Sequence, residues 1–276
     1  MKNEIIEELF EELYENDDDN FKTLVESYSG SRDDEQLKDM ILRLYSFSMS
    51  GPWPENWLNE KAEEFNIQTV SDLDQTAWSN VLRTNLAVEL NGFINMMKKA
   101  IEIIKETDGL EPYIETFSTE LSYLDNAYAS LSGGLEEIYK AFDFINFGRI
   151  PVVRKNKVSD ENAQATVKSI RDSIKKKIVK LKEDNFTFTP EEALEGIRRV
   201  YPCMKTLSNI TLEFSKRFTQ KKRDKNLLDF NDLEHLCLKI LISKDDNGNV
   251  VPSQVAEHFR EYFDEVLVDE YLSSFE

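Results

Sequence analysis

The chain has 276 residues, 40% hydrophobic and 32% charged, which is enough apolar content to bury a core and excludes a disordered polymer. Its 9 glycines and 7 prolines are too few for a turn-rich β fold, and its 2 cysteines too few for a disulfide scaffold. A net charge of −19 argues against a uniformly nucleic-acid-binding surface, because carboxylates repel phosphates.

The distribution of charge says more than its sum. Residues 1–150 hold 12 basic and 31 acidic side chains, residues 151–225 hold 19 and 10, and residues 226–276 hold 3 and 12. One basic stretch therefore lies inside an acidic chain. Cys203 and Cys237 form no C-x-x-C pair and read as buried, reduced thiols. No apolar run reaches membrane-spanning length and Met1-Lys2-Asn3-Glu4 does not open a signal peptide, so a cytoplasmic protein with no membrane partner is expected.

The first helix places Ile5, Ile6, Leu9, Phe10, Leu13 and Tyr14 on one stripe, with glutamates 4, 7, 8, 11, 12 and 15 on the other. Helices follow over about 21–28 and 34–49, the latter with Leu37, Met40, Ile41, Leu44 and Tyr45 inward. Gly51-Pro52-Trp53-Pro54 is a break. From Ser71 to Lys105 the apolar spacing predicts one long helix, and two more cover about 112–131 and 135–147, separated by Gly133-Gly134. Such antiparallel helices predict a mostly α, bundle-like domain.

Gly148 to Ser159 reads as an extended linker. A basic helix over about 160–182 follows, with Val167, Ile170, Ile174, Ile178 and Leu181 inward and Lys168, Arg171, Lys175 and Lys182 along one edge. Thr189-Pro190-Glu191-Glu192 is a capping box that starts another helix, which Pro202 is expected to kink or interrupt before it ends in Lys221-Lys222-Arg223-Asp224-Lys225. Asp229-Phe230-Asn231-Asp232 caps a helix, Asp245-Asp246-Asn247-Gly248 is a polar turn, and Ser253 opens a short helix. Val266-Leu267-Val268-Asp269-Glu270 reads as a buried strand ending in two acids, whose sheet partners the chain does not supply.

Two groups of residues point to chemistry. An apolar strand ending in Asp-Glu is the Walker B pattern, which delivers the first acid to a nucleotide-bound Mg²⁺ and lets the second orient a water. Lys168, Arg171, Lys175, Lys176 and Lys182, with Lys216, Arg217, Lys221, Lys222 and Arg223 as a second cluster, are candidates for sequence-independent contact with DNA phosphates, the other reading being a solvated helix face that balances the acidic helices. Phe186 and Phe188 lie near the first cluster and could stack on bases, although core positions suit them as well. His235 and His258 have no ligand-spaced partners, and the 245–248 turn lacks the register of a calcium loop.

Leu227-Leu228-Asp229-Phe230-Asn231-Asp232-Leu233 followed by Val268-Asp269-Glu270-Tyr271 resembles the middle of superfamily-1 DNA helicases of the UvrD/RecB type. The helices before it, opening with Asn3-Glu4-Ile5-Ile6-Glu7-Glu8-Leu9-Phe10, resemble the 1B insertion of AddA-type helicase–nuclease subunits, so the resemblance covers essentially the whole chain. It implies a helical 1B-like domain over 1–225 and a partial return over 226–276 into a RecA-like motor domain. It further implies Mg²⁺ on Asp269, a catalytic carboxylate at Glu270, ATP as the parent's cofactor, DNA as a partner of the 1B region, and an AddB-like second subunit in double-strand break repair and recombination. Leu272 stands where the family has a nucleotide-sensing glutamine. None of the nine glycines is followed by lysine, so no phosphate-loop motif is present and the chain by itself is expected to be inactive. The alternative is a non-enzymatic acidic helical scaffold for protein interactions.

Overall fold

The computed structural model describes residues 1–29, 33–154, 157–245 and 249–267. These residues are mostly helical, as expected, and form two compact units, one of Met1–Glu63 together with the chain from Pro202 onward, the other of Glu64–Tyr201.

In the Glu64–Tyr201 unit, the expected single helix is split. A capping box of Thr69 and Asp72 opens α5 (Val70–Asp74), and Thr76, whose side chain accepts from the Ser79 amide, opens α6 (Ala77–Glu106). After a 3-10 turn, α7 (Ile114–Ser130) and α8 (Leu135–Phe144) follow, then α9 (Glu161–Asn185). The long helix α6 packs along both α7 and α9. Leu90, Met97 and Ile104 from α6, Phe117 and Leu124 from α7, Ile138 and Phe142 from α8, and Val167, Ile174 and Ile178 from α9 form the core. Asp74 joins the α5–α6 turn to the α7–α8 turn, bonding Arg83 and accepting from the Leu135 amide at 3.1 Å, while Arg83 donates to the Gly133 carbonyl at 3.2 Å.

The described residues between α8 and α9 form no strand, and polar side chains of α9 hold them. Gln164 Nε2 donates to the Val153 carbonyl at 3.1 Å and to the Tyr113 hydroxyl at 3.0 Å. Arg171 Nε donates to Glu120 Oε2 at 2.8 Å, its terminal nitrogen reaches Glu120 Oε1, and it also donates to the Gly148 carbonyl at 2.6 Å. Both ion-pair partners are buried. Gly109 adopts φ +91, and a Cβ there would collide with the Lys157 carbonyl, so only glycine fits beside the returning segment.

In the other unit, α1 (Lys2–Glu15), α2 (Asp19–Tyr28), α3 (Glu35–Ser48) and α4 (Pro54–Glu63) are joined by α10 (Pro190–Asp224) from Pro202 onward. Ile5, Leu9 and Phe10, then Phe21 and Leu24, Leu37 and Ile41, and Leu207, Ile210 and Phe214 share one core. Tyr45 meets Phe214 and Phe218 edge-on at 5.2 and 5.8 Å. Tyr14, expected inward, is half-exposed and donates to Asp34 at 3.3 Å. Helix α10 is not interrupted at Pro202; that residue is exposed, so water can serve the carbonyl its ring leaves without a donor.

The same unit contains α11 (Phe230–Leu241), an antiparallel hairpin of β1 (Ile242–Lys244) and β2 (Val250–Pro252) with Ser243 opposite Val251, and α12 (Gln254–Tyr262). The sequence showed only a turn where this hairpin stands. Neither α11 nor α12 buries a residue. Cys203 is buried as expected, but Cys237, on α11, is exposed. The expected buried strand is not seen in its described part: Val266 and Leu267 are 80% and 90% exposed in irregular backbone. An apolar strand cannot be buried without a sheet to join. Val268, Asp269 and Glu270 lie outside the described residues.

Compactness also divides the chain at other places than the expected boundary after residue 225. The second part of α10 supplies the core face for α1–α3, and its Lys222 holds the start of α11.

Replacing Arg171 by alanine leaves Glu120 buried without a counter-charge and frees the segment at Gly148. The variant is expected to lose about 3–5 kcal/mol from the Glu64–Tyr201 unit, measured as a lower urea midpoint of that unit against the wild type.

Candidate nucleic-acid interface

The ten cations singled out in the sequence separate into two sets. On α9, the core residues Val167, Ile174 and Ile178 define the inward side; Lys176 projects away from it and Lys175 is exposed at its edge. Among the described residues, no carboxylate stands within ion-pair distance of either. Lys168 is half-buried, with Nζ 5.9 Å from the Tyr113 ring centre. Lys177, with Nζ 5.6 Å from the Phe93 ring centre, and Lys180 are exposed on the same helix and were not singled out in the sequence, where the edge Lys168–Lys182 took precedence. The run of three lysines at 175–177 was the signal.

Arg171 is a correction. It is not a surface cation but the inward partner of Glu120, because its angular position falls among the core residues of α9. Lys182 is largely engaged as well. Its Nζ donates to the Asp143 and Ile145 carbonyls at 3.2 and 3.0 Å, at the C-terminal end of α8, where a cation offsets the helix dipole. Partial burial lowers its pKa, against the pull of Asp143.

The second cluster serves mostly to neutralise acids. Arg217 forms a two-pronged pair with Glu12, both bonds 2.7 Å, and a third bond with Glu213 at 2.9 Å. The hydrogen bonds it donates to these two carboxylates raise its pKa further. Lys221 reaches Glu4 at 3.1 Å and Glu8 at 3.6 Å, and these acids hold its pKa up. Thus the acidic face of α1, which looked solvated in sequence, is partly tied to α10. Lys222 corrects a second expectation: its side chain is 4% exposed and lies between Asp229 at 2.8 Å and Asp232 at 2.6 Å, above the Phe218 ring. Lys216 and Arg223 remain exposed.

Asp229 and Asp232 form a reciprocal capping box, each carboxylate accepting from the other's amide at 2.9–3.0 Å. Partial burial pushes the Asp229 carboxyl up, but the Lys222 and Asp232 hydrogen bonds prevail and hold it below the ordinary carboxylate value. These motif acids therefore set the entry of α11. Phe186 packs on Phe142 with centres 4.6 Å apart, a core position, whereas Phe188 is 66% exposed. Among the described residues, no group of three or more His, Cys, Asp or Glu side chains could hold a metal ion, and no helix is long and apolar enough to cross a membrane. The Mg²⁺ and ATP expectation rests on Asp269 and Glu270, outside that set.

The profile of the UvrD/REP helicase N-terminal domain matches residues 6–272. The chain belongs to that helicase family. Curated relatives named as ATP-dependent helicase/nuclease subunits are 50% identical in Clostridium beijerinckii, 48% in Clostridium botulinum and 46% in Clostridium perfringens, each over 99% of this chain. The chain spans 22% of the length of each of these relatives. The family resemblance read from the Asp229–Leu233 segment and the helices before it is thereby confirmed.

Because the folded-state pKa of Asp229 is depressed, its contribution to stability is present above the ordinary carboxylate pKa and is lost as pH falls through the lower, folded value. Comparing urea midpoints of the wild type and Asp229→Asn is expected to show a wild-type advantage near neutral pH that is lost as pH falls below the ordinary carboxylate range. An advantage independent of pH would contradict the assignment.

Proposed function

We propose that this chain is the part of an ATP-dependent helicase–nuclease that contacts DNA, and that the outward face of α9 makes that contact. The observation that carries the reading is the separation of cations just described. In an acidic chain, Lys175 and Lys176, joined by Lys177 and Lys180, are free of carboxylate partners, whereas Arg171, Arg217, Lys221 and Lys222 are not. Exposed lysines without carboxylate partners on one helix suit phosphate contact without base readout. The names of the relatives support the same direction.

The parent protein, on this reading, hydrolyses ATP to unwind DNA in double-strand break repair and recombination, works in the cytoplasm, and assembles with an AddB-like partner. Asp269 would hold the nucleotide's Mg²⁺ and Glu270 would act as the catalytic carboxylate. Residues 226–276 would belong to the motor domain. The exposure of Phe230, Leu233, Phe259 and Tyr262, on helices that bury nothing, supports that reading, since a motor core would cover them.

The test is anisotropy of labelled forked DNA with the wild type and with Lys175→Glu, Lys176→Glu, Lys177→Glu and Lys180→Glu combined. Affinity is expected to fall at least ~10-fold at low salt, and the slope of log affinity against log salt to flatten by about one for each phosphate no longer neutralised. Unchanged affinity and slope would remove α9 from the interface.

A further inference from the structure

The loop between α3 and α4 and the adjoining ends of α10 and α11 enclose a cavity of about 490 Å³, within the usual range for a small-molecule or nucleotide site. Its wall carries Trp53, 44% exposed. The loop bearing this indole is held in place. His235 Nε2–H donates to the Met49 carbonyl at 3.1 Å, the Gly51 amide to the Ser48 carbonyl at 3.1 Å, and the Trp57 amide to the Trp53 carbonyl at 2.9 Å. Prolines 52 and 54 fix the backbone on either side of the indole.

The charges around the cavity are not balanced. Lys222 and Asp232 line it, but Lys222 is held between Asp232 and Asp229, the latter outside the lining. Arg223 and Lys239 remain, both exposed and without an ion-pair partner among the described residues, against Glu55 alone. In a chain of net charge −19, a cavity that combines a free aromatic face with two free cations is complementary to an anion bearing a planar ring.

We propose that this cavity receives one nucleotide of an unpaired DNA strand, with its base against Trp53 and its phosphate at Arg223 and Lys239. Stacking on an aromatic face tolerates any base, and an arginine–lysine pair reads only the phosphate, so the contact is indifferent to sequence. A duplex cannot offer the same group, because its bases are already stacked and paired. The site shares no residue with the lysines of α9, and it rests on the reading of the chain as one that contacts DNA.

The experiment is anisotropy of a short labelled oligothymidylate, and of a blunt duplex, with the whole chain and with Trp53→Ala, Trp53→Phe and the Arg223→Ala/Lys239→Ala pair. Trp53→Ala and the cation pair are each expected to weaken oligothymidylate binding by about tenfold, Trp53→Phe to restore most of the loss, and duplex binding to stay unchanged. Trp53 is half-exposed, so the melting curve of Trp53→Ala should match the wild type. Wild-type affinity in Trp53→Ala, or an equal loss on strand and duplex, overturns the proposal. Duplex binding by the wild type without any oligothymidylate binding overturns it while leaving the α9 reading intact. Absence of binding to either form removes both.

Discussion

The arrangement of the Glu64–Tyr201 unit depends on where the Arg171 charge goes. A guanidinium on the inward side of α9 has to find a carboxylate, since burying it alone would cost far more than any single packing contact returns. Glu120 on α7 supplies the carboxylate and the Gly148 carbonyl accepts a further hydrogen bond. That one side chain therefore joins α7, α9 and the segment between α8 and α9, and it sets the rotation of α9 about its axis. With Arg171 turned inward, Lys176 is turned out, while Lys175, one turn after Arg171, is exposed at the edge of the buried stripe.

The same reasoning separates charge that builds the fold from charge that remains available. The chain is strongly acidic, and many of its cations are held by its own carboxylates, as Arg217 is by Glu12 and Lys221 by Glu4. Counting lysines and arginines along 151–225 gives a basic segment, but only the unpaired ones can exchange counterions for a phosphate. Lys222 is the clearest case: it sits in the most basic run of the sequence, yet it is buried between the two acids that cap α11.

Much of the fold was legible because helices announce themselves locally. The stripes of α1 and α3, the Thr189–Glu192 box that opens α10 and the Asp229–Asp232 box that opens α11 all involve residues within one or two turns of each other. What was illegible is non-local or depends on absent neighbours. The partner of Arg171 lies 51 positions away, so nothing near Arg171 marks it as buried. The break before α6 came from Thr76, a cap inside a continuous apolar pattern. Val266 and Leu267 have the composition of a buried strand, but composition does not create the sheet that would bury them. The family was legible from a short segment because its spacing combines a cap, a helix and an acidic strand end. The interface was legible only as a region, and Lys177 and Lys180 were recovered from exposure in the folded chain.

The central claim is that free cations on α9, and not the paired ones on α10, meet DNA. Lysine acylation footprinting read by mass spectrometry, with and without a saturating blunt duplex, tests it directly. The account predicts that Lys175, Lys176, Lys177 and Lys180 react freely in the unbound chain and become protected by the duplex, while buried Lys222 is unreactive in both states and the paired Lys221 does not change. Protection at Lys216 and Lys221 with α9 unaltered would contradict it.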